Sequence, residues 1–363
     1  MMRELFEQVR VKGNINLKSE SFLQDILPII YEGEADPASE SSVPYYNSGG
    51  RALLFDKGGT TYRIKGVDPH GKLTQKVAES KENRIKNVRD AHLLAQSQIS
   101  GASSKRELFF DERKPFGPFL RSQAESEMRA FKRLAEVYDY LEIENPCEAL
   151  LYKKTAVECK GEPTYQTAFR LPRLEADLRV HEFDSLLTEI LDACSPSEVA
   201  AKSRAVCRLY GRFIYWAGLN AGILTTAGLL PTQSSFHPQN WVINRYKEGY
   251  GIFRVDHTST IIVDEQQALE DLTSQKGGVP HIINEFSIFP SRVQAAANPQ
   301  LFVQGYKTNM KFSEILHAQK GICADEARIL DAHRQVFSAG LLSSAKSDNI
   351  APIPKDMFAE ALA

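Results

Sequence analysis

The stretch 233-QSSFHPQNWVINRYKEGYGIFRVDHTST-260 decides how this chain of 363 residues is read. Trp241 to Asn244 and Ile252 to Val255 read as two β-strands, with Arg245 to Gly251 as the turn between them. Asn240 stands just before the first strand and Asp256 just after the second. A hairpin brings such ends together, and an amide oxygen beside a carboxylate is a hard-donor pair of the kind magnesium accepts. The ordinary alternative is a capping asparagine and a turn aspartate.

Upstream, residues 36–50 (DPASESSVPYYNSGG) are rich in Ser, Pro and Gly and read as a loop. RALLFD and TYRIKGV are two strand-like runs around KGGT, a hairpin signal. Residues 66–115 read as a polar insertion with a helix near 83–98. FLRSQAESEMRAFKRLAEVYDYL carries apolar residues at helical spacing. ALLYKKTAVE and TYQTAFRLP follow as strands. From 181 the pattern turns helical, in HEFDSLLTEILDAC, SEVAAKSRAVCRLYGRFIYWAGLNAG and, after the quoted hairpin, EILHAQ and ADEARILDAHRQVFSAGLL. The last twenty residues, 344–363, show weak periodicity.

Strands with one helix, a hinge near 172–180, then helices enclosing a hairpin: this order resembles the protein-kinase-like fold. The expected class is α+β and bilobal. Residues 1–172 would form a strand-rich lobe with the insertion at 66–115, and 173–363 a helical lobe containing the metal-binding hairpin 240–256. A kinase holds ATP phosphates with a strand lysine paired to a helix glutamate. Lys65 closes the strand TYRIK, and Glu125 and Glu127 are the helix candidates. Glu127 is preferred, because it leaves Met128, Phe131 and Leu134 in register to pack inward. Gly49 and Gly50, like Gly58 and Gly59, would let backbone approach a phosphate, and would serve any tight turn as well.

Set on the catalytic loop H-R-D-L-x-x-x-N, Asn240 takes the metal asparagine and Asp256 the DFG aspartate. Ser235 then falls where the catalytic aspartate belongs, and a hydroxyl is no general base at neutral pH. His237 is the nearest titratable replacement, and His257 shares its ambiguity between a chemical role and a packing one.

GGRALLFDKGGTTYRIKG resembles the glycine-rich opening of the selenoprotein O family, and LRSQAESE its entry to the glutamate helix. AFRLPRLEADLRVHEF, residues 168–183, resembles its "TRVA…HLRFGxFE" segment, and QSSFHPQN stands where that family has "HGVMNTDN". The resemblance is piecewise and spans about residues 47–260. It implies ATP bound in a flipped orientation, with AMP rather than phosphate transferred to a protein hydroxyl. It also implies Arg170 and Arg179 on the phosphates, Lys65 and Glu127 as the pair, and Asn240 and Asp256 on magnesium. Gln239 replaces the family's acid before the metal asparagine, the Asn-to-Asp separation is longer, and the family's late redox cysteine has no counterpart beyond Cys323.

From the residues alone, transfer of phosphate rather than AMP to a protein hydroxyl stays open, and two other functions fit as well. One is a pseudokinase that binds nucleotide or a partner without catalysis. The other is a small-molecule phosphotransferase similar to the aminoglycoside group, whose loop carries His-Pro ahead of its asparagine but keeps the aspartate missing here. Composition narrows the rest. Hydrophobic residues at 42%, charged residues at 25% and a net charge of −2 describe an ordinary globular protein with no bulk attraction to nucleic acid or anionic membrane. In the insertion, ten Lys and Arg are nearly offset by seven Asp and Glu, which argues against nucleic acid there too. No apolar run reaches membrane-spanning length, and the opening MMRELFEQVRVKGN lacks a secretory core. Five cysteines without a CxxC pair suggest neither a disulfide framework nor a zinc site, and point to a reducing cytoplasm. The expected ligands are ATP and Mg2+, with a protein as acceptor.

Overall fold

The computed structural model describes residues 4–5, 12–16, 42–48, 52–57, 59–65, 119–159, 162–171, 178–231, 238–257, 260–273, 278–296, 326–344 and 350–363. The insertion 66–115, Gly49, Gly50, Gly58, Gln233, Ser235, His237 and the stretch EILHAQ lie outside them. The class is mixed α+β. Two compact units divide the chain. The first takes Met1–Lys132, Asn145–Asp177 and His257–Ser259; the second takes Arg133–Glu144, Leu178–Asp256 and Thr260–Ala363.

The first unit is built on a seven-stranded antiparallel sheet. Its strands are β1 (Lys12–Asn16), β2 (Ser42–Ser48), β3 (Ala52–Lys57), β4 (Thr60–Lys65), β5 (Phe119–Leu120), β6 (Glu148–Cys159) and β7 (Glu162–Leu171). The ladder runs β1-β2-β3-β4-β7-β5, with β6 also on β7. β2 corrects the sequence reading of 36–50 as a loop. Its Ser and Pro content hid a strand that pairs on one side with β1 and, from Tyr45 to Ser48, on the other with β3. Helix α1 (Arg121–Tyr140) follows β5. Its residues 124, 127, 131 and 134 recur at helical spacing, and Ala124, Glu127, Phe131 and Leu134 are all buried.

The second unit is organised by α3 (Pro196–Thr226), which follows α2 (Val180–Ala193). The 31-residue α3 is amphipathic in its first half, where Glu198, Arg204 and Arg208 are exposed, and from Phe213 to Thr225 it is buried on nearly every side. Ser195 and Glu198 form a capping box before it, and Pro196 opens it. β8 (Leu178–Arg179), β10 (Trp241–Tyr246) and β11 (Gly249–Arg254) form a three-stranded sheet, and β9 (Leu229–Pro231) pairs with β12 (Thr260–Ile262). Helices α4 (Glu265–Thr273), α5 (Gly278–Ala296), α6 (Glu326–Ser343) and α7 (Lys355–Leu362) complete the unit. Among the described residues no helix is long and apolar enough to cross a membrane.

The β10–β11 hairpin corrects the expected turn. Tyr246 pairs with Gly249, so the turn is Lys247-Glu248 alone, with Lys247 at a left-handed φ of 49°. Gly249 and Gly251 belong to the strand. A side chain at Gly251 would strike the Trp216 ring, and one at Gly249 the carbonyl of Ile353. These glycines permit close approach, not reversal of the chain.

Glycines also set the crossing of α3 and α6. A Cβ at Gly218 would overlap the Phe337 carbonyl, and one at Gly340 the Tyr215 carbonyl. The two backbones therefore touch reciprocally. Overpacking there costs about 1–3 kcal/mol and more against rigid backbone, whereas alanine's helix propensity returns only about 1 kcal/mol. Gly218→Ala and Gly340→Ala should each lower the unfolding free energy measured by denaturant titration. Gly211→Ala, on the same helix but facing open space, should raise it by about 0.5–1 kcal/mol. Equal effects at Gly211 and Gly218 would contradict the packing account.

Candidate functional site

Residues of β4 alternate between two faces of the sheet, and Thr61, Arg63 and Lys65 share the face on which α1 lies. All three are buried, at 3%, 0% and 7% relative exposure. Arg63 stacks its guanidinium over the Phe169 ring at 5.1 Å. Lys65 donates to Glu127 Oε1, and Thr167, directly opposite Lys65 in the β4–β7 ladder, donates from Oγ1 to Glu127 Oε2 at 3.2 Å. Glu127 is fully buried and occupies a place in the apolar stripe of α1 where a hydrophobic side chain would ordinarily stand. Glu125, the competing candidate, instead pairs with Arg121 in the exposed first turn of the helix. Thr167 was not singled out from the sequence. Its only signal was its place beside Lys65, which needs the strand register.

In the second unit Trp241 pairs with Arg254, and Val255 N–H donates to the Asn240 carbonyl at 3.0 Å. Asn240 and Asp256 are thus brought to the same end of the hairpin, both half-buried. Arg179 is on the adjoining strand, opposite Val242. It is 7% exposed, and its backbone N–H donates to Glu182 Oε2 at 2.8 Å as α2 begins. Arg170 is an exposed residue of β7 in the first unit, opposite Tyr62. The two arginines therefore belong to different units. His257 is fully buried, with its ring edge-on to Phe131 at 5.0 Å, so it is a packing residue of the first unit.

Asn220 is a second residue that the sequence reading passed over. Buried on α3, it donates to the Trp216 and Ile252 carbonyls at 2.8 and 2.7 Å and accepts from Arg254 N–H at 3.3 Å. It ties β11 to α3 just before Asp256. Among the described residues no three His, Cys, Asp or Glu side chains converge to hold a metal. A site of Asn240 and Asp256 supplies two oxygen donors. That suits magnesium, which keeps waters and takes one or two protein carboxylates together with substrate phosphates. It does not suit a structural zinc, which is closed by four Cys or His side chains.

Asp184 on α2 was missed because nothing in HEFDSLL sets it apart. The residue is half-buried, but its Oδ1 is closed off from solvent without a hydrogen-bond partner. Burial pushes its pKa well above the usual carboxylate range.

Compared with known proteins, the chain matches no family model, no curated protein and no solved structure.

The folded-state pKa of Asp184 is raised, so the folded protein binds this proton more tightly than the unfolded chain does. Its contribution is fully present below the unfolded value of about 3.9 and is lost as pH rises through the folded value. Asp184→Asn should therefore be more stable than wild type at pH 7, with the difference shrinking toward pH 4.5. Denaturant titrations at the two pH values check this; a pH-independent difference would show that the carboxyl ionises freely.

Proposed function

We propose that this chain is a kinase-like ATP- and magnesium-binding protein that transfers AMP from ATP to a protein hydroxyl. The observation that carries the reading is the buried Lys65–Glu127 pair, fixed by Thr167. A buried ion pair contributes little net stability compared with apolar residues of the same volume. A strand lysine held by a helix glutamate is, however, the arrangement with which kinases present an ammonium to ATP phosphates. Asn240 and Asp256 at one end of a hairpin add the oxygen donors that such proteins use for magnesium. Bound there, magnesium would neutralise phosphate charge as it builds up on the leaving group.

The choice of AMP over phosphate rests on the segment 168–183 and on Arg170 and Arg179, whose guanidinium forks suit the oxygens of a departing pyrophosphate. The acceptor oxygen bonds to the α-phosphorus, the bond from that phosphorus to the bridging oxygen breaks, and pyrophosphate leaves. The hydroxyl proton passes to His237 or to water. With Ser235 and Gln239 in place of acids, the residues do most through positioning and charge, as a loose transition state allows. The same two residues favour the second reading, a pseudokinase that binds ATP and transfers nothing.

Incubation with magnesium and either α- or γ-labelled ATP separates these outcomes. Label from the α-phosphate should enter protein and label from the γ-phosphate should not. Arg170→Ala and Arg179→Ala should each reduce incorporation at least tenfold, and Asp256→Ala should abolish the magnesium-dependent rise in melting temperature with ATP. Transfer of γ-label would make the protein a kinase or a small-molecule phosphotransferase. ATP binding without either label would make it a pseudokinase, and no ATP binding would end the proposal.

A further inference from the structure

Residues 350-IAPIPKDMFAEALA-363 lie across the second unit as a ligand lies across a receptor. Their first four carbonyls are all taken, one after another. Lys247 Nζ donates to Ile350 O at 3.4 Å, Arg212 to Ala351 O and Pro352 O at 3.3 and 3.1 Å, and Tyr250 N–H to Ile353 O at 2.9 Å. Ile353 N–H returns a bond to Tyr250 O at 2.6 Å, which adds a one-residue strand to the edge of β11. Pro352 and Pro354 have no N–H to satisfy, and Pro354 holds φ −59° and ψ 143°, the extended polyproline conformation. The chain then turns into α7. Ile350, Ile353, Phe358 and Ala361 are buried, and the residues between them are mostly exposed. Phe358 enters an aromatic nest of Phe183, Phe213 and Tyr250, with ring centroids at 5.6, 6.0 and 5.0 Å.

Two modes of peptide recognition are joined here, strand addition to a sheet edge and an amphipathic helix in an apolar groove. Main-chain bonds give the first its affinity, and spaced anchors give the second its specificity. The receptor residues lie on α2, α3 and the β10–β11 hairpin, more than 100 positions earlier in the chain. The prolines keep residues 350–354 extended before binding, which lowers the entropy cost of seating them.

We propose that this groove is a peptide-docking site whose occupant is the chain's own segment 350–363, held as an exchangeable ligand. The class of ligand is defined by the contacts: two aliphatic residues three apart in extended backbone, a proline directly after the second, and a helix with an aromatic four residues beyond that proline. Because Tyr250 lies on β11, the seated peptide also braces the hairpin that ends in Asp256.

The test uses the full chain with a protease recognition sequence placed between Ser344 and Ile350. After cleavage, fluorescent peptide 350–363 in excess should replace the cut segment, read as a rise in anisotropy and as release of the unlabelled segment by mass spectrometry. Peptide with Phe358→Ala should compete at least tenfold less well, and a chain with Arg212→Ala should bind the native peptide more weakly. Hydrogen exchange at Tyr250 and Ile252 should quicken when the groove is emptied and slow again when peptide is added. Peptide with Phe358→Ala that competes as well as the native sequence would overturn the proposal. So would a cut segment that stays in place and does not exchange until the protein is denatured. Loss of the fold on cleavage alone, seen by circular dichroism, would make the segment part of the core and would overturn it equally.

Discussion

A glutamate with no exposure to water must be paired or neutral, and in this protein the partner is Lys65. That constraint shapes the whole first unit. β4 must be interior so that its last residue meets α1, and β7 must lie beside it so that Thr167 can take the second carboxylate oxygen. The Phe131 and Phe169 rings pack on each other at 4.9 Å, Phe131 one helical turn beyond Glu127 on α1 and Phe169 two residues beyond Thr167 on β7, and both are buried. A dry setting strengthens the attraction between the charges and makes the loss of either one costly. The proposed role of Lys65, an ammonium held ready for an anion, would account for an arrangement with so small a net return in stability.

The second unit solves a different problem, that of holding two short strands rigidly against one long helix. Trp216 presses its ring on Gly251 and contacts Tyr246 and Phe253, while Asn220 bonds to β11 at Ile252 and Arg254. The segment 350–363 closes the remaining edge. Hairpin ends fray unless they are tied down, and here the turn, the outer edge and the helix-facing side are each tied. Asn240 and Asp256 inherit that rigidity. Two residues at the end of a braced hairpin keep their spacing, which the proposed magnesium site, with so few protein ligands, would require.

What the sequence revealed and what it concealed follow from the range of the forces involved. The hairpin, α1, α2, α3 and α6 were legible because periodicity is local. Glu127 could be preferred to Glu125 for the same reason, since helical spacing put it on the stripe with Phe131 and Leu134. The turn was misplaced because Gly249 and Gly251 looked like turn residues, while their reason for being glycine lies on Trp216 and Ile353, far off in the chain. Thr167, Asn220 and the groove for 350–363 depend on partners in distant strands and helices, and no local pattern announces them. Two prolines near the end made 350–354 look irregular, although the prolines are what fits that backbone to its groove. Asp184 differs from any other helical acid only in being enclosed, which is a tertiary property.

The most direct measurement is a four-protein cycle of wild type, Lys65→Met, Glu127→Gln and the double variant, each assayed for unfolding free energy and for ATP–magnesium affinity by calorimetry. If the pair exists to present a charge to phosphate, Lys65→Met, which leaves the buried carboxylate with the Thr167 hydroxyl but no counter-charge, should cost about 3–5 kcal/mol in stability. The double variant should then recover most of that loss while binding ATP–magnesium at least tenfold more weakly than wild type. A double variant that binds ATP–magnesium as tightly as wild type would contradict the account, and Lys65 and Glu127 would then be no more than a buried structural pair.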